Sequence, residues 1–223
     1  KRSLVYGKGV NDSPTPIGAT AKDKTTGKLK LTYSCKFYSC WVSMLERCYS
    51  EKFHKNHPTY KDCYVCDEWL IFSNFKRWME QQDYEGKALD KDLLVYQNKV
   101  YSPETCVFIP KELNSFLVKN DVNRGDLPIG VTLASLIHGK YTPTDKFVAY
   151  CGHTTTKNSK RTSVRLGNFY TAVDAHRAWQ AEKMRLVLIH KNLNTNPLII
   201  MGLQRVYDKI KFDYDNNLIT EDF

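Results

Sequence analysis

Residues 89–114, LDKDLLVYQNKVYSPETCVFIPKELN, constrain the fold of this chain more than any other stretch. An apolar run carrying Asp90, Lys91 and Asp92 leads into a polar turn at Gln97, Asn98 and Lys99. A second run, residues 105–109, is rich in β-branched and aromatic side chains, and Pro110 then opens a segment containing Glu112 and Asn114. The pattern predicts strand, turn, strand, helix. It aims Asp90 from a strand and Asn114 from the first helical turn towards one place. A carboxylate and an amide oxygen meeting there are suitable ligands for a hard divalent cation. Asp92 either faces away from Asp90 by strand alternation or joins it at a bulge.

The 223 residues allow one large domain or two smaller ones, and 42% hydrophobic with 26% charged residues is ordinary globular composition. No apolar run reaches the length of a membrane span and no basic-then-apolar leader is visible, so no membrane partner is expected. The formal charge of +9, beside 13% aromatic residues, makes nucleic acid the first partner to consider. The seven cysteines are odd in number and sit in hydrophobic contexts, which predicts reduced thiols in a cytoplasm. Cys63 and Cys66 have the spacing of half a zinc site. No second such pair follows, so zinc is disfavoured and buried packing is the expected role.

Taken in order, residues 4–6 read as a strand, and residues 22–30 as a solvated loop or a basic arm able to track phosphates. Trp41, Met44, Leu45 and Cys48 fall at i, i+3, i+4 and i+7 of a helix. Residues 52–62 read as a polar loop, and Tyr64 and Val65 as a short strand. Asp67 is expected to cap a second helix whose apolar side holds Trp69, Leu70, Phe72, Phe75, Trp78 and Met79. These two helices form the scaffold for residues 89–114. Residues 121–127 have the composition of a linker.

Beyond the linker the pattern changes to three short strands at residues 130–133, 146–151 and 161–166, then a helix capped by Thr171 with Asp174 in the capping-box position. Over residues 128–192 there are ten Lys and Arg against three Asp and Glu. The positive charge is thus concentrated here. Alternation places Lys146, Tyr150, Arg161, Ser163 and Arg165 on the face away from the helix, near a loop with His153, Lys157 and Lys160. Such a sheet can lie in a major groove and read bases with arginine. An amphipathic segment near residues 198–210 closes the chain.

Gly130-Val131, a Gly-Lys pair, Lys146-Phe147-Val148-Ala149, Leu166-Gly167-Asn168-Phe169-Tyr170-Thr171, Asp174-Ala175 and Ala178-Trp179 together resemble the APETALA2/ethylene-response-factor DNA-binding domain. The resemblance spans about residues 128–190. Thr132 and Ala134 stand where that family places arginines on its first strand. Upstream, WVSMLERC at 41–48, Pro58-Thr59-Tyr60, Val65-Cys66-Asp67-Glu68-Trp69, Phe72, Phe75 and the LDKD…YSPETCVF…N stretch resemble phage HNH-type homing endonucleases. Some of these carry a C-terminal domain of the APETALA2 kind.

The resemblance implies an α+β fold: a ββα-metal, HNH-like nuclease domain with a helical scaffold in residues 1–120, a linker at 121–127, a three-stranded antiparallel sheet plus helix that binds DNA in 128–192, and a helical tail in 193–223. It implies one Mg²⁺ or a similar cation such as Mn²⁺, double-stranded DNA as partner, no small-molecule cofactor, a monomer, and residence in the cytoplasm of a bacterial host. Asp90 matches the first metal ligand and Asn114 the second. Lys91 stands where the family has its histidine base. Thr105 stands where an asparagine orients that histidine. A lysine base must be desolvated or pressed by positive charge. Lys91 therefore acts as such a base, or it binds the scissile phosphate while His54, His57 or solvent takes the proton. The resulting expectation is a site-specific, metal-dependent DNA endonuclease. The alternative is an HNH-derived protein without catalysis that binds DNA as a regulator or anti-host-defence factor.

Overall fold

The computed structural model describes residues 3–23, 25–118, 125–134, 147–153 and 162–223. The fold is α+β, with short strands in small sheets and six α-helices among the described residues. It divides into two compact units, Lys1–Phe108 and Ile109–Phe223. This division falls upstream of the expected linker at 121–127, of which 121–124 lie outside the described residues. None of the described helices is long and apolar enough to cross a membrane.

The first unit begins with a bridge between Val5 and Gly9 rather than a strand at 4–6. Strands β1 (Gly18–Lys22) and β2 (Leu29–Ser34) follow as an antiparallel pair, and the stretch expected as a loop or arm at 22–30 falls mainly on the turn between them. Helix α1 (Lys36–Tyr49) buries Trp41, Met44, Leu45 and Cys48, the four residues its periodicity singles out. Residues 52–62 are not all loop: Ser50 caps a short helix α2 (Glu51–Asn56), and a 3-10 turn follows at Pro58–Tyr60. Strand β3 (Tyr64–Val65) pairs in parallel with β5 (Val100–Tyr101).

Asp67 does not cap the second helix. It opens a 3-10 turn, Asp67–Leu70, and helix α3 (Phe72–Glu80) starts after it. The orphan N–H of Ser73 in its first turn donates to the Asp12 carboxylate at 2.9 Å, a partner 61 residues away. Trp41, Trp69, Phe72, Phe75 and Met79 form the core of this unit, and the Trp41 indole N–H donates to the Trp69 carbonyl at 2.7 Å. Gly9 passes so close to α1 that a Cβ there would lie 2.4 Å from Leu45 and 2.7 Å from Trp41. Strand β4 (Lys87–Asp90) forms a two-stranded sheet with β6 (Val107–Pro110).

The second unit contains α4 (Lys111–Leu117), with Leu113 and Phe116 buried. Strands β7 (Val131–Leu133), β8 (Phe147–His153) and β9 (Thr162–Phe169) form an antiparallel sheet in that order. Helix α5 (Ala172–Leu193) lies on this sheet, and Ala175 packs with Val131 and Ala149 at the contact. Thr171 caps α5 as expected: its hydroxyl accepts from the Asp174 N–H at 3.0 Å and reaches the Asp174 carboxylate at 2.6 Å. Helix α6 (Pro197–Asp215) packs on α5. The last residues return along α5, where the Gln180 amide donates to the Leu218 carbonyl at 3.0 Å and to the Thr220 hydroxyl at 2.9 Å.

Candidate functional site

Asp90 ends β4 and turns the chain. Its Oδ1 accepts the backbone N–H groups of Asp92 at 2.9 Å and Leu93 at 2.7 Å, an Asx-type turn that fixes the carboxylate. Both bonds fall on one oxygen. Among the described residues no hydrogen bond reaches the other. Asp90 is half-buried, and burial pushes its carboxyl above the usual carboxylate range, with the two N–H groups opposing. A cation beside it would favour the charged form that burial disfavours.

Lys91 points inward and only 6% of the residue is exposed. Its Nζ donates to Asp92 Oδ1 at 2.5 Å and to the Asn98 carbonyl at 2.8 Å, and lies 5.6 Å from the centre of the Tyr60 ring and 5.9 Å from that of Tyr101. Burial works to lower its pKa, but the neighbouring Asp92 charge prevails and the net shift is upward. The pairing with Asp92 favours the charged ammonium. Asp92 neither turns wholly to solvent nor joins Asp90: it is the ion-pair partner of Lys91, with 57% of its side chain exposed.

Sequence reasoning placed Asn98 in the turn but assigned it no part in the site. It is buried, its amide donates to the Lys91 carbonyl at 2.8 Å and to the Val100 carbonyl at 2.6 Å, and its Oδ1 accepts the Val100 N–H at 3.1 Å. Lys91 and Asn98 thus bind each other's backbone and close the loop between β4 and β5. The only signal in the sequence was the polar Gln97-Asn98-Lys99 run; in the structure Gln97 adopts the left-handed conformation at φ 52. Thr105 does not orient Lys91. Its hydroxyl donates to the Val100 carbonyl at 2.8 Å and contacts Ser102 Oγ at 3.2 Å.

Arg47 is half-buried beside Tyr101 and Tyr60, on the same side of the unit as Lys91. His54 donates from Nε2 to the Arg47 carbonyl at 2.8 Å, and His57 is exposed and stacked on Phe53 at 4.4 Å. Cys48 and Cys106 are buried thiols that burial pushes up to about 12, and Cys63 is raised for the same reason. They are protonated packing groups around the site. Among the described residues no three His, Cys, Asp or Glu side chains cluster to hold a metal. Mg²⁺ keeps several waters and uses one or two carboxylates with substrate phosphate, so it does not require such a cluster.

Asn114 stands on α4, half-buried, and belongs to the second unit, whereas Asp90, Lys91 and Thr105 belong to the first. On the three-stranded sheet, Ser163 and Arg165 are exposed, and the Arg165 guanidinium donates to Asn168 Oδ1. Tyr150 is half-buried opposite Arg165, and His153 pairs with Thr162. Lys146, Lys157, Lys160 and Arg161 lie outside the described residues. Simple alternation does not describe this sheet. The register shifts between Ala149 and Tyr150, and Val148, expected beside Tyr150 on the open face, is fully buried.

No protein-family model, curated protein or solved structure shows a significant match to this chain.

Proposed function

We propose that the chain is a metal-dependent endonuclease acting on double-stranded DNA, with Asp90 as its carboxylate ligand. The observation that carries this reading is the Asp90 turn: a strand-end carboxylate fixed by two N–H groups through one oxygen, with no hydrogen bond to the other among the described residues. Asp90 would supply the carboxylate to a Mg²⁺-like ion, and Asn114 is the second ligand only as the HNH resemblance implies it. Such an ion supplies charge neutralisation at the scissile phosphate and at the leaving oxygen. The Lys91 ammonium is spent on Asp92 and the Asn98 carbonyl. Its part is to brace the loop that carries Asp90, and proton removal from the attacking water falls to His54, His57 or solvent. The β7–β8–β9 sheet with α5 is the DNA-positioning module, through Arg165, Ser163 and the basic loop residues.

A second reading, a DNA-binding protein without catalysis, draws on one specific feature. Both positions that would activate water in an HNH site, Lys91 and Thr105, are committed to loop carbonyls.

Asp90→Asn separates the two. The asparagine Oδ1 still accepts from Asp92 and Leu93, so the turn survives while the anionic ligand is lost. Mg²⁺-dependent nicking of duplex DNA by the wild type is expected to fall at least 100-fold in the variant, with DNA affinity within about twofold. Wild-type nicking that persists in Asp90→Asn removes Asp90 from the site. A wild type that binds duplex DNA and never nicks it supports the second reading.

A further inference from the structure

Strands β1 and β2 form a ribbon with neither face covered. Every described side chain in the two strands is exposed, including Leu29 at 69% and Tyr33 at 53%. An isolated two-stranded hairpin is marginal in water, because no core supports either face. This ribbon is nonetheless well defined at both ends. At its base the Cys35 N–H donates to the Ile17 carbonyl at 2.9 Å. At its tip Asp23 Oδ1 accepts the N–H groups of Thr25 at 2.9 Å and Thr26 at 2.8 Å, and Gly27 turns the chain at φ +65.

Residues 18–34 carry four lysines, Lys22, Lys24, Lys28 and Lys30, against the single acid Asp23. That carboxylate is turned onto its own loop, where the Thr26 and Thr25 N–H groups hold it below the usual range. The exposed Lys22 and Lys28 make the described outward chemistry basic, with the Thr20 and Thr25 side chains and the apolar surfaces of Leu29 and Tyr33 beside them, while the Thr26 hydroxyl donates to Asp23 and the Thr32 hydroxyl to the Ala19 carbonyl.

We propose that the β1–β2 ribbon is a separate DNA-reading element that lies in the major groove of double-stranded DNA. This rests on the reading of the chain as a protein of duplex DNA. The dimensions match. Two strands about 4.8 Å apart, with their side chains, fill a groove about 12 Å wide. The five paired positions from Gly18↔Ser34 to Lys22↔Leu29 span about 17 Å, or about five base pairs at about 3.4 Å each. Lysines reach phosphates and guanine edges, and apolar surface meets thymine methyl groups.

The test uses the full chain with the ribbon shortened: residues 20–32 are replaced by Asn-Gly, a two-residue turn that closes where Ala19 pairs with Tyr33. A second variant, Lys22→Glu with Lys28→Glu, keeps the ribbon and reverses charge. Binding to a fluorescent 30-base-pair duplex of mixed sequence is measured across a salt series, and guanine N7, which faces the major groove, is probed by dimethyl sulfate. The wild type is expected to protect a patch of about five base pairs that the shortened variant leaves open. Each variant is expected to lose about two or more units of the salt slope, at about 0.9 per phosphate contact, with an unchanged thermal midpoint. A shortened protein that keeps wild-type slope and N7 protection overturns the ribbon proposal and leaves the nuclease reading standing. A wild type that does not bind the duplex overturns both.

Discussion

His190 on α5 shows how a single side chain in the second unit ties stability to pH. It is buried, its Nε2 lacks a hydrogen-bond partner, and its ring centre lies 4.5 Å from that of Phe116. Burial, helped by the Lys183 charge, lowers its pKa. In the unfolded chain a histidine takes up a proton near pH 6.5, whereas this one resists until lower pH. Unfolding therefore gains a proton as pH drops below about 6.5, and stability falls there. In His190→Phe that dependence is expected to vanish. The wild-type thermal midpoint, measured relative to the variant's, should decline between about pH 7 and pH 5, and parallel curves would show that His190 does not titrate in this window. His176, also buried, plays a different part. Its Nδ1 meets the Ile129 carbonyl at 2.8 Å and its Nε2 accepts the Thr220 N–H at 2.9 Å, which fixes a neutral ring between two distant segments. Neither histidine is distinguishable by sequence pattern, because their partners stand 44 and 47 residues away for His176 and in another helix for His190.

At the scale of elements, Gly130 fixes how β7 meets α5. It adopts φ +80, and a Cβ built there would lie 2.2 Å from Trp179 Cδ1. Both the conformation and the space exclude a side chain. Gly130→Ala is expected to cost more than about 2 kcal/mol, read as a lower denaturant midpoint at unchanged slope with tryptophan fluorescence as probe. A shift below about 0.5 kcal/mol would mean that β7 does not depend on this approach. Elements whose signals are local were legible beforehand: the buried stripe of α1, the Thr171–Asp174 cap, and the order of three antiparallel strands then helix. What failed was whatever depends on distant partners. The cap on α3 comes from Asp12 rather than Asp67. Val148 is buried although strand alternation places it on the face opposite Ala149, so position on a strand alone does not decide exposure. In the candidate site, Asp90 at a strand end was readable. The mutual anchoring of Lys91 and Asn98 was not, because it depends on how the loop closes.

For the whole molecule, the formal charge of +9 sets the terms of any encounter with a polyanion. Two separate places carry the excess: residues 128–192, with ten basic against three acidic side chains, and the β1–β2 ribbon, with four against one. The salt dependence of binding counts phosphate contacts, at about 0.9 in slope for each, whatever the arrangement of the parts that make them. Arg161→Ala with Arg165→Ala is expected to lower the slope by about two. Lys22→Glu with Lys28→Glu is expected to lower it by about the same amount or more. Contacts made at the same time subtract together, so the fourfold variant is expected to lose about four units in one binding isotherm series. If the sheet and the ribbon instead compete for the same stretch of DNA, the fourfold variant will lose no more than the stronger of the two pairs. An unchanged slope in the Arg161/Arg165 pair alone would take the β8–β9 face out of the interface and leave the ribbon as the measured contact.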